Sequence, residues 1–197
     1  MRATRLLMVG ASLAALAACT ADYGEVNDSP IILRVTSIVG STGGTGTGGG
    51  AGIGTVLLSD VRTDEGAVFN DNATLTVESL AKNQNGPVLG PVNDVIIEQY
   101  RVRYIRTDGL DREGVDVPYS FSGSVQVLIP SPGTATVPIL IVRHAAKLEP
   151  PLANLSQFGG FDLVTMFAEI TLFGHTTSGK AVSAVGRIEV HFGDFAG

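Results

Sequence analysis

Residues 161–173 read FDLVTMFAEITLF, the most apolar of the stretches that predict a β-strand in this chain. Successive side chains of a strand point to opposite faces of its sheet. One face of this strand therefore carries only apolar side chains, namely Val164, Met166, Ala168, Ile170 and Leu172. A turn-type segment at 174–180 follows, and residues 180–192 alternate again. We therefore expect a hairpin of two long strands with one buried face.

The same alternation recurs toward the N-terminus. Further strands are predicted at 31–39, 55–61, 73–80, 94–106, 125–129 and 134–142. In the 94–106 strand, the side chains expected to point inward are Ile96, Tyr100, Val102 and Tyr104. Pro138 lacks an amide donor and suggests an edge strand. Only one helical turn is predicted, at 144–149, within a crossover at 143–160 that is otherwise loop.

About seven to nine strands with period-2 alternation and no long helix predict one all-β domain over residues 31–197, a Greek-key β-sandwich. A glycine-rich loop at 40–54, with glycine at 9 of its 15 positions, interrupts it. The stretch from Val95 to Phe192 resembles the immunoglobulin-like and fibronectin type III-like sandwiches of bacterial envelope proteins. The resemblance rests on the strand rhythm and on the inward pattern Tyr100-x-Val102-x-Tyr104. It implies an immunoglobulin-like fold.

The N-terminus reads as a signal peptide: Arg2 and Arg5 precede an uncharged run that ends at Cys19, the only cysteine. Leu16-Ala17-Ala18-Cys19 resembles the lipobox of bacterial lipoproteins. The resemblance implies cleavage of residues 1–18 and acylation of Cys19 by diacylglycerol and a fatty acid such as palmitate. Residues 19–30 would then form the lipidated end and a polar tether. The alternative is an ordinary secretory signal with a chance cysteine.

The lipobox resemblance also implies a location and a partner, the membrane that holds the lipid on Cys19. Because Thr20 is not aspartate, it implies the outer membrane if the organism is Gram-negative. Cleavage would leave 11 basic against 19 acidic side chains, a net charge of −8 instead of −6. This mild acidity, without a basic patch, argues against nucleic acid as a partner.

Four acids cluster in the predicted turn region at 107–118, namely Asp108, Asp111, Glu113 and Asp116. Calcium prefers several oxygen ligands on flexible backbone, so this loop is a candidate calcium site. The spacing does not match an EF-hand, because Leu110 and Val115 fall where ligands should be. Arg106 and Arg112 can also neutralise the acids, and the alternative is a solvated polar loop.

A second candidate site depends on strand neighbours. If the strands at 94–106, 161–173 and 180–192 adjoin, their outer faces combine into one surface, with Phe167 as an aromatic anchor for an envelope protein or a glycan. Its main members would be Arg101, Arg103, Phe167, Glu169, Arg187, Glu189 and His191, flanked by Gln99, Thr165 and Thr171. The alternative is ordinary cross-strand pairing, which contributes about 0.2–1 kcal/mol per pair.

The sequence carries no recognisable catalytic motif. The histidines, His144, His175 and His191, show no zinc-type spacing, and the predicted domain has no Gly-x-Ser-x-Gly elbow. We therefore expect a non-catalytic, lipid-anchored envelope protein that serves as a binding or structural module. Two alternatives stay open: a calcium-dependent adhesive or carbohydrate-binding domain, and a hydrolase whose site is dispersed along the chain.

Overall fold

The protein forms two β-sheets. The computed structural model describes residues 29–43, 56–63, 66–155 and 163–195, which contain eight strands. The strands are β1 (Ile31–Ser41), β2 (Val56–Asp60), β3 (Asp71–Ala81), β4 (Val95–Arg106), β5 (Phe121–Ile129), β6 (Gly133–Val142), β7 (Val164–Thr176) and β8 (Ala181–Gly193). Two short helices, α1 (His144–Lys147) and α2 (Leu152–Leu155), lie between β6 and β7. The all-β class is confirmed.

The strands pair in two separate orders. One sheet has the order β1-β3-β6, and the other has the order β2-β8-β7-β4-β5. All pairs are antiparallel except β2 with β8, which is parallel. Pro138 lies in β6, which among the described strands pairs only with β3, so the edge position predicted for this proline is confirmed.

Both sheets bury one face in a shared apolar core. On β7, Met166, Ala168, Ile170 and Leu172 are completely buried, and Val164 is partly buried. Val182, Ala184, Ile188, Val190 and Phe192 face the same core from β8. The other sheet contributes Leu75 and Val77 of β3 and Val137 of β6, among others. The alternating apolar residues thus decide which side of each sheet is inward.

The prediction for β4 is wrong at Ile96. Tyr100, Val102 and Tyr104 are buried as expected, but Val95 and Ile97 are the buried residues at the start of the strand. Ile96 lies on the other face and is only partly covered. The reason is a β-bulge between Ile97 and Gln99, which inserts Glu98 as an extra residue and shifts the alternation by one.

Several boundaries also differ from the predictions. The fifth strand begins at Phe121 instead of 125, and α2 occupies part of the predicted crossover loop. The hairpin turn is shorter than 174–180, because β7 continues to Thr176, and Gly179 supplies the positive φ of 85° that the turn needs. Gly40 and Ser41 belong to β1, whereas residues 44–54 of the glycine-rich loop lie outside the described residues.

The two ends of the fold carry different features. We call the end where β1 begins at Ile31 the tether end, after the tether predicted for residues 19–30; it also holds the hairpin turn after Thr176. The opposite end, the loop end, holds the ends of β1, β2 and β4 and the connections at 107–120 and after Val142. Segments of both sheets meet there, since Ser59 of β2 bonds to Asp71 of β3.

Candidate functional site

The first candidate site is the outer face of the five-stranded sheet. The condition set for this surface is met, since β4, β7 and β8 are adjacent. We use the name outer-face patch for Arg101, Arg103, Phe167, Glu169, Arg187, Glu189 and His191. Registered pairing places Arg103 opposite Glu169, and Glu169 opposite Arg187, in one row across the sheet. Strand register therefore brings residues of three separate segments together.

The centre of the outer-face patch is an ion-paired triad. Arg103 Nη2 lies 3.0 Å from Glu169 Oε1, and Arg187 Nη2 lies 2.6 Å from Glu169 Oε2. Burial of the Glu169 carboxylate raises its pKa, but the hydrogen bonds from Arg187 and Arg103 outweigh this effect, so the pKa is below its ordinary range. Both arginine side chains stay more than half exposed.

The rest of the outer-face patch combines a second pair with uncovered groups. His191 Nε2 lies 2.7 Å from Glu189 Oε1. Phe167 is partly exposed between Ile105 of β4 and Glu189 of β8. The Arg101 side chain is exposed, and no side-chain hydrogen bond or ion pair joins it to another described residue. Arg101 is therefore the cation of this surface that is available for a carboxylate from outside.

The acidic loop is arranged differently from a calcium site. Arg106 binds Asp108 through Nε and Nη2, and Arg112 binds Asp116, with Nε at 2.7 Å from Oδ2. These hydrogen bonds lower the pKa of both aspartates. Glu113 accepts a hydrogen bond from the main-chain amide of Ser120, and Asp111 is exposed.

The four acids of the loop are therefore not gathered around a common point. Across the described ranges, no group of three or more histidine, cysteine, aspartate or glutamate side chains has an arrangement that could hold a metal ion. Guanidinium groups occupy the positions beside Asp108 and Asp116 that a metal cation would take. The geometry consequently favours the arginine-neutralised polar loop over the calcium site.

The loop end also holds a buried polar cluster that no sequence pattern predicted. Lys147 Nζ lies 2.9 Å from Asp71 Oδ2, and each side chain is only 1% exposed. Ser59 Oγ donates to the same carboxylate oxygen at 2.5 Å, and Lys147 also donates to the carbonyl oxygen of Asp60 at 2.7 Å. The side-chain pKa of Asp60 is raised, mainly by burial. Ser59 and Asp71 are polar residues at inward-facing strand positions. This pattern was the one feature of the sequence that could have indicated the buried cluster.

The three histidines lie apart. His144 begins α1 and is held by Asn70, whose Oδ1 accepts its main-chain amide at 2.7 Å. His175 lies within β7 rather than in a turn, 3.4 Å from Glu98 of the bulge. No triad of nucleophile, base and acid forms around any of them in the part of the chain that the structure describes.

Cys19 and the whole predicted signal peptide lie outside the described residues. Within the described ranges, no helix has the length and apolarity needed to cross a membrane. Comparison with known proteins adds no family, because no family model matches the chain and the search of curated proteins finds no match.

Proposed function

We propose that the protein is a lipid-anchored, non-catalytic module of a bacterial envelope that binds an envelope protein through the outer-face patch. The observation that carries the proposal is the order of features along the chain. A lipobox-type sequence ends at Cys19, a polar tether follows, and β1 begins at Ile31 at the tether end. The tether from residue 20 to residue 29 spans at most about 35 Å, so the domain stays near the bilayer.

The strand order supports an immunoglobulin-like Greek-key arrangement for this module. One sheet runs β1-β3-β6, and the other places β8, β7, β4 and β5 side by side. The short strand β2 extends the second sheet by pairing in parallel with the last strand. In two-sheet folds of this type, the outer faces and the end loops are free to bind partners. The buried core contributes to stability and does not bind partners.

The chemistry of the outer-face patch favours a protein partner that offers a carboxylate beside an apolar side chain. Arg101 supplies a cation that is not neutralised within the described residues, and Val185, opposite Thr171 on the same face, is 56% exposed. Phe167 adds partly exposed aromatic surface. The ion pairs of Glu169 keep Arg103 and Arg187 in fixed positions. Interfaces are enriched in aromatic residues and arginine, as this surface is.

The anchor is tested by replacing Cys19. Full-length wild-type chain and Cys19→Ser are expressed in a bacterium with a lipoprotein-processing pathway and partitioned with Triton X-114. We expect wild type in the detergent phase, because several acyl chains hold a protein in a bilayer. We expect Cys19→Ser in the aqueous phase, because the variant has no acyl chain. Equal partitioning of the two proteins contradicts the anchor.

The binding surface is tested in living cells by photo-crosslinking. Benzoylphenylalanine is placed at Phe167 and, as a matched control, at exposed Thr136 on the outer face of the other sheet. We expect a discrete protein adduct from position 167 only, and its loss when Arg101→Glu is added. If the mass added by crosslinking resists protease digestion, the partner is a glycan instead of a protein. Adducts of equal yield at both positions, or none at 167, would contradict the outer-face patch as the binding site.

A further inference from the structure

The strongest unassigned chemistry lies in the buried pair of Asp71 and Lys147. Asp71 is the first residue of β3, and Lys147 is the last residue of α1, which follows β6. The fold brings their side chains to 2.9 Å, and each is 1% exposed. The other ion pairs of the described residues each include a side chain that is more than one-fifth exposed.

The groups around the pair hold the carboxyl group in one orientation. Asp71 Oδ2 accepts the hydroxyl of completely buried Ser59 at 2.5 Å, and Oδ1 accepts the main-chain amide of Gly43 at 3.3 Å. Lys147 Nζ is held on its other side by the carbonyl oxygen of Asp60. The amine therefore faces the carboxyl group with little freedom to turn away.

Burial separates these two groups from bulk water. Charged groups lose their hydration when they are taken out of water. Transfer of one proton from the ammonium to the carboxylate would leave a neutral amine beside a neutral carboxylic acid. An amine and a carboxylic acid are the two reactants of amide formation. The reverse reaction, hydrolysis, needs water, and bulk water does not reach this site.

We propose that Lys147 and Asp71 become joined by an intramolecular isopeptide bond. Nζ gives one proton to Oδ2, and its lone pair then forms a bond to Cγ of Asp71. The negative charge that develops on Oδ1 faces the Gly43 amide. Nζ loses a second proton through the Ser59 hydroxyl to Oδ2, the Cγ–Oδ2 bond breaks, and one water molecule leaves. One ammonium and one carboxylate are converted to one secondary amide and one water, with no oxidant or reductant.

The fold supplies the proximity and orientation of the two groups, which this reaction lacks in free solution. Oriented groups within a molecule react as if at an effective concentration of about 10⁵–10⁸ M. The bond would tie β3 to the segment after β6, and so fasten the loop end to the three-stranded sheet. The chain has no second cysteine with which Cys19 could form an intramolecular disulfide, so such an amide would be a covalent cross-link that requires no thiol.

Peptide mapping of the full-length chain tests the bond. The wild-type protein is purified, unfolded in guanidinium chloride to separate any ion pair, diluted and digested with trypsin. An isopeptide bond blocks cleavage after Lys147 and links peptide 63–82 to peptide 144–180. We expect a single species lighter than the two peptides together by one water molecule, with the link located by fragmentation. Recovery of the free peptides 63–82, 144–147 and 148–180 as the main products would overturn the proposal.

Two variants sharpen the test. Lys147→Arg keeps a cation beside Asp71 but lacks an amine nucleophile, so we expect only unlinked peptides; a linked species in this variant would contradict Lys147 as the nucleophile. Ser59→Ala removes the proton relay, and we expect the linked fraction to rise at least tenfold more slowly after synthesis. Accumulation at the wild-type rate would contradict the role of Ser59.

Discussion

The hydroxyl of Tyr104 donates a hydrogen bond to the main-chain carbonyl oxygen of Ile141 at 2.6 Å and so links β4 of one sheet to β6 of the other. Tyr104 is 2% exposed and Ile141 is completely buried. Burial raises the pKa of Tyr104 far above its ordinary value, so the hydroxyl stays a donor throughout the usable pH range. Tyr100 completes the link, because its hydroxyl oxygen accepts the amide of Leu140 at 3.2 Å.

Tyr104→Phe should lower the free energy of unfolding by about 1–3 kcal/mol, because the carbonyl oxygen of Ile141 then lacks a partner inside the core. Urea unfolding followed by circular dichroism measures the loss. Tyr119→Phe is the matched control, since Tyr119 is 51% exposed, and a change within about 0.5 kcal/mol is expected there. Equal effects of the two substitutions would contradict an energetic role for the hydrogen bond between the sheets.

Glu169→Gln should remove both ion pairs of the triad at a cost of no more than about 1 kcal/mol each, since both arginines are largely exposed. The folded pKa of Glu169 is lowered, so the carboxylate stabilises the fold above the unfolded pKa of about 4.3. This contribution is lost as the pH falls through the folded pKa. The difference between variant and wild type should therefore shrink in acid and in high salt.

Measuring the unfolding free energy of wild type and Glu169→Gln between pH 7 and pH 3 checks this dependence. Glu149→Gln provides a control, because Glu149 is exposed and lies outside the outer-face patch. If the difference in unfolding free energy between wild type and Glu169→Gln increases in acid, the lowered pKa of Glu169 is contradicted.

Lys147→Met should be less stable than Lys147→Arg by about 3–5 kcal/mol, because neither variant can form the cross-link and only the methionine variant leaves the buried carboxylate of Asp71 without a cation. Thermal and urea unfolding provide the measurement. Arg62→Met is a suitable control, since Arg62 is exposed on the same end of the fold. The double variant Lys147→Met with Asp71→Asn should recover part of the loss, and no recovery would show that charge is not the reason for the instability.

Gly174→Ala should destabilise the five-stranded sheet by about 1–3 kcal/mol. A methyl group at Gly174 would overlap the main-chain carbonyl oxygen of Ile96 beside the β-bulge, and backbone cannot move away cheaply. Gly90→Ala is the control, because a methyl group there meets no atom within 4 Å. Denaturant midpoints compare the two, and an equally small effect at both positions would argue against close backbone approach at the bulge.

Local alternation was sufficient to predict most strands. The inward faces of β3, β7 and β8 follow from the period of two, which depends only on neighbouring residues. Alternation failed at Ile96, because a bulge changes the period by one residue and the sequence near Glu98 carries no glycine or proline to mark it. Helix α2 was missed because a four-residue helix is too short to show a period.

The candidate sites were predicted less completely. The residues of the outer-face patch could be named in advance, because they alternate with core residues on three strands. Neutralisation of the acidic loop by Arg106 and Arg112 was an open alternative from the sequence. Which aspartate each arginine binds could not be predicted, since it depends on how the loop folds back. Asp71 and Lys147 are far apart in sequence, and neither belongs to a recognisable motif.

By itself, the sequence determined the all-β class and the buried face of each regular strand, and it predicts the anchor at Cys19. These depend on local order along the chain. Only the tertiary structure decided that β7 lies between β4 and β8, which places Glu169 between two arginines, and that Lys147 meets Asp71. The physical reason is that strand order and buried contacts are selected by packing of the whole core, to which distant segments contribute together.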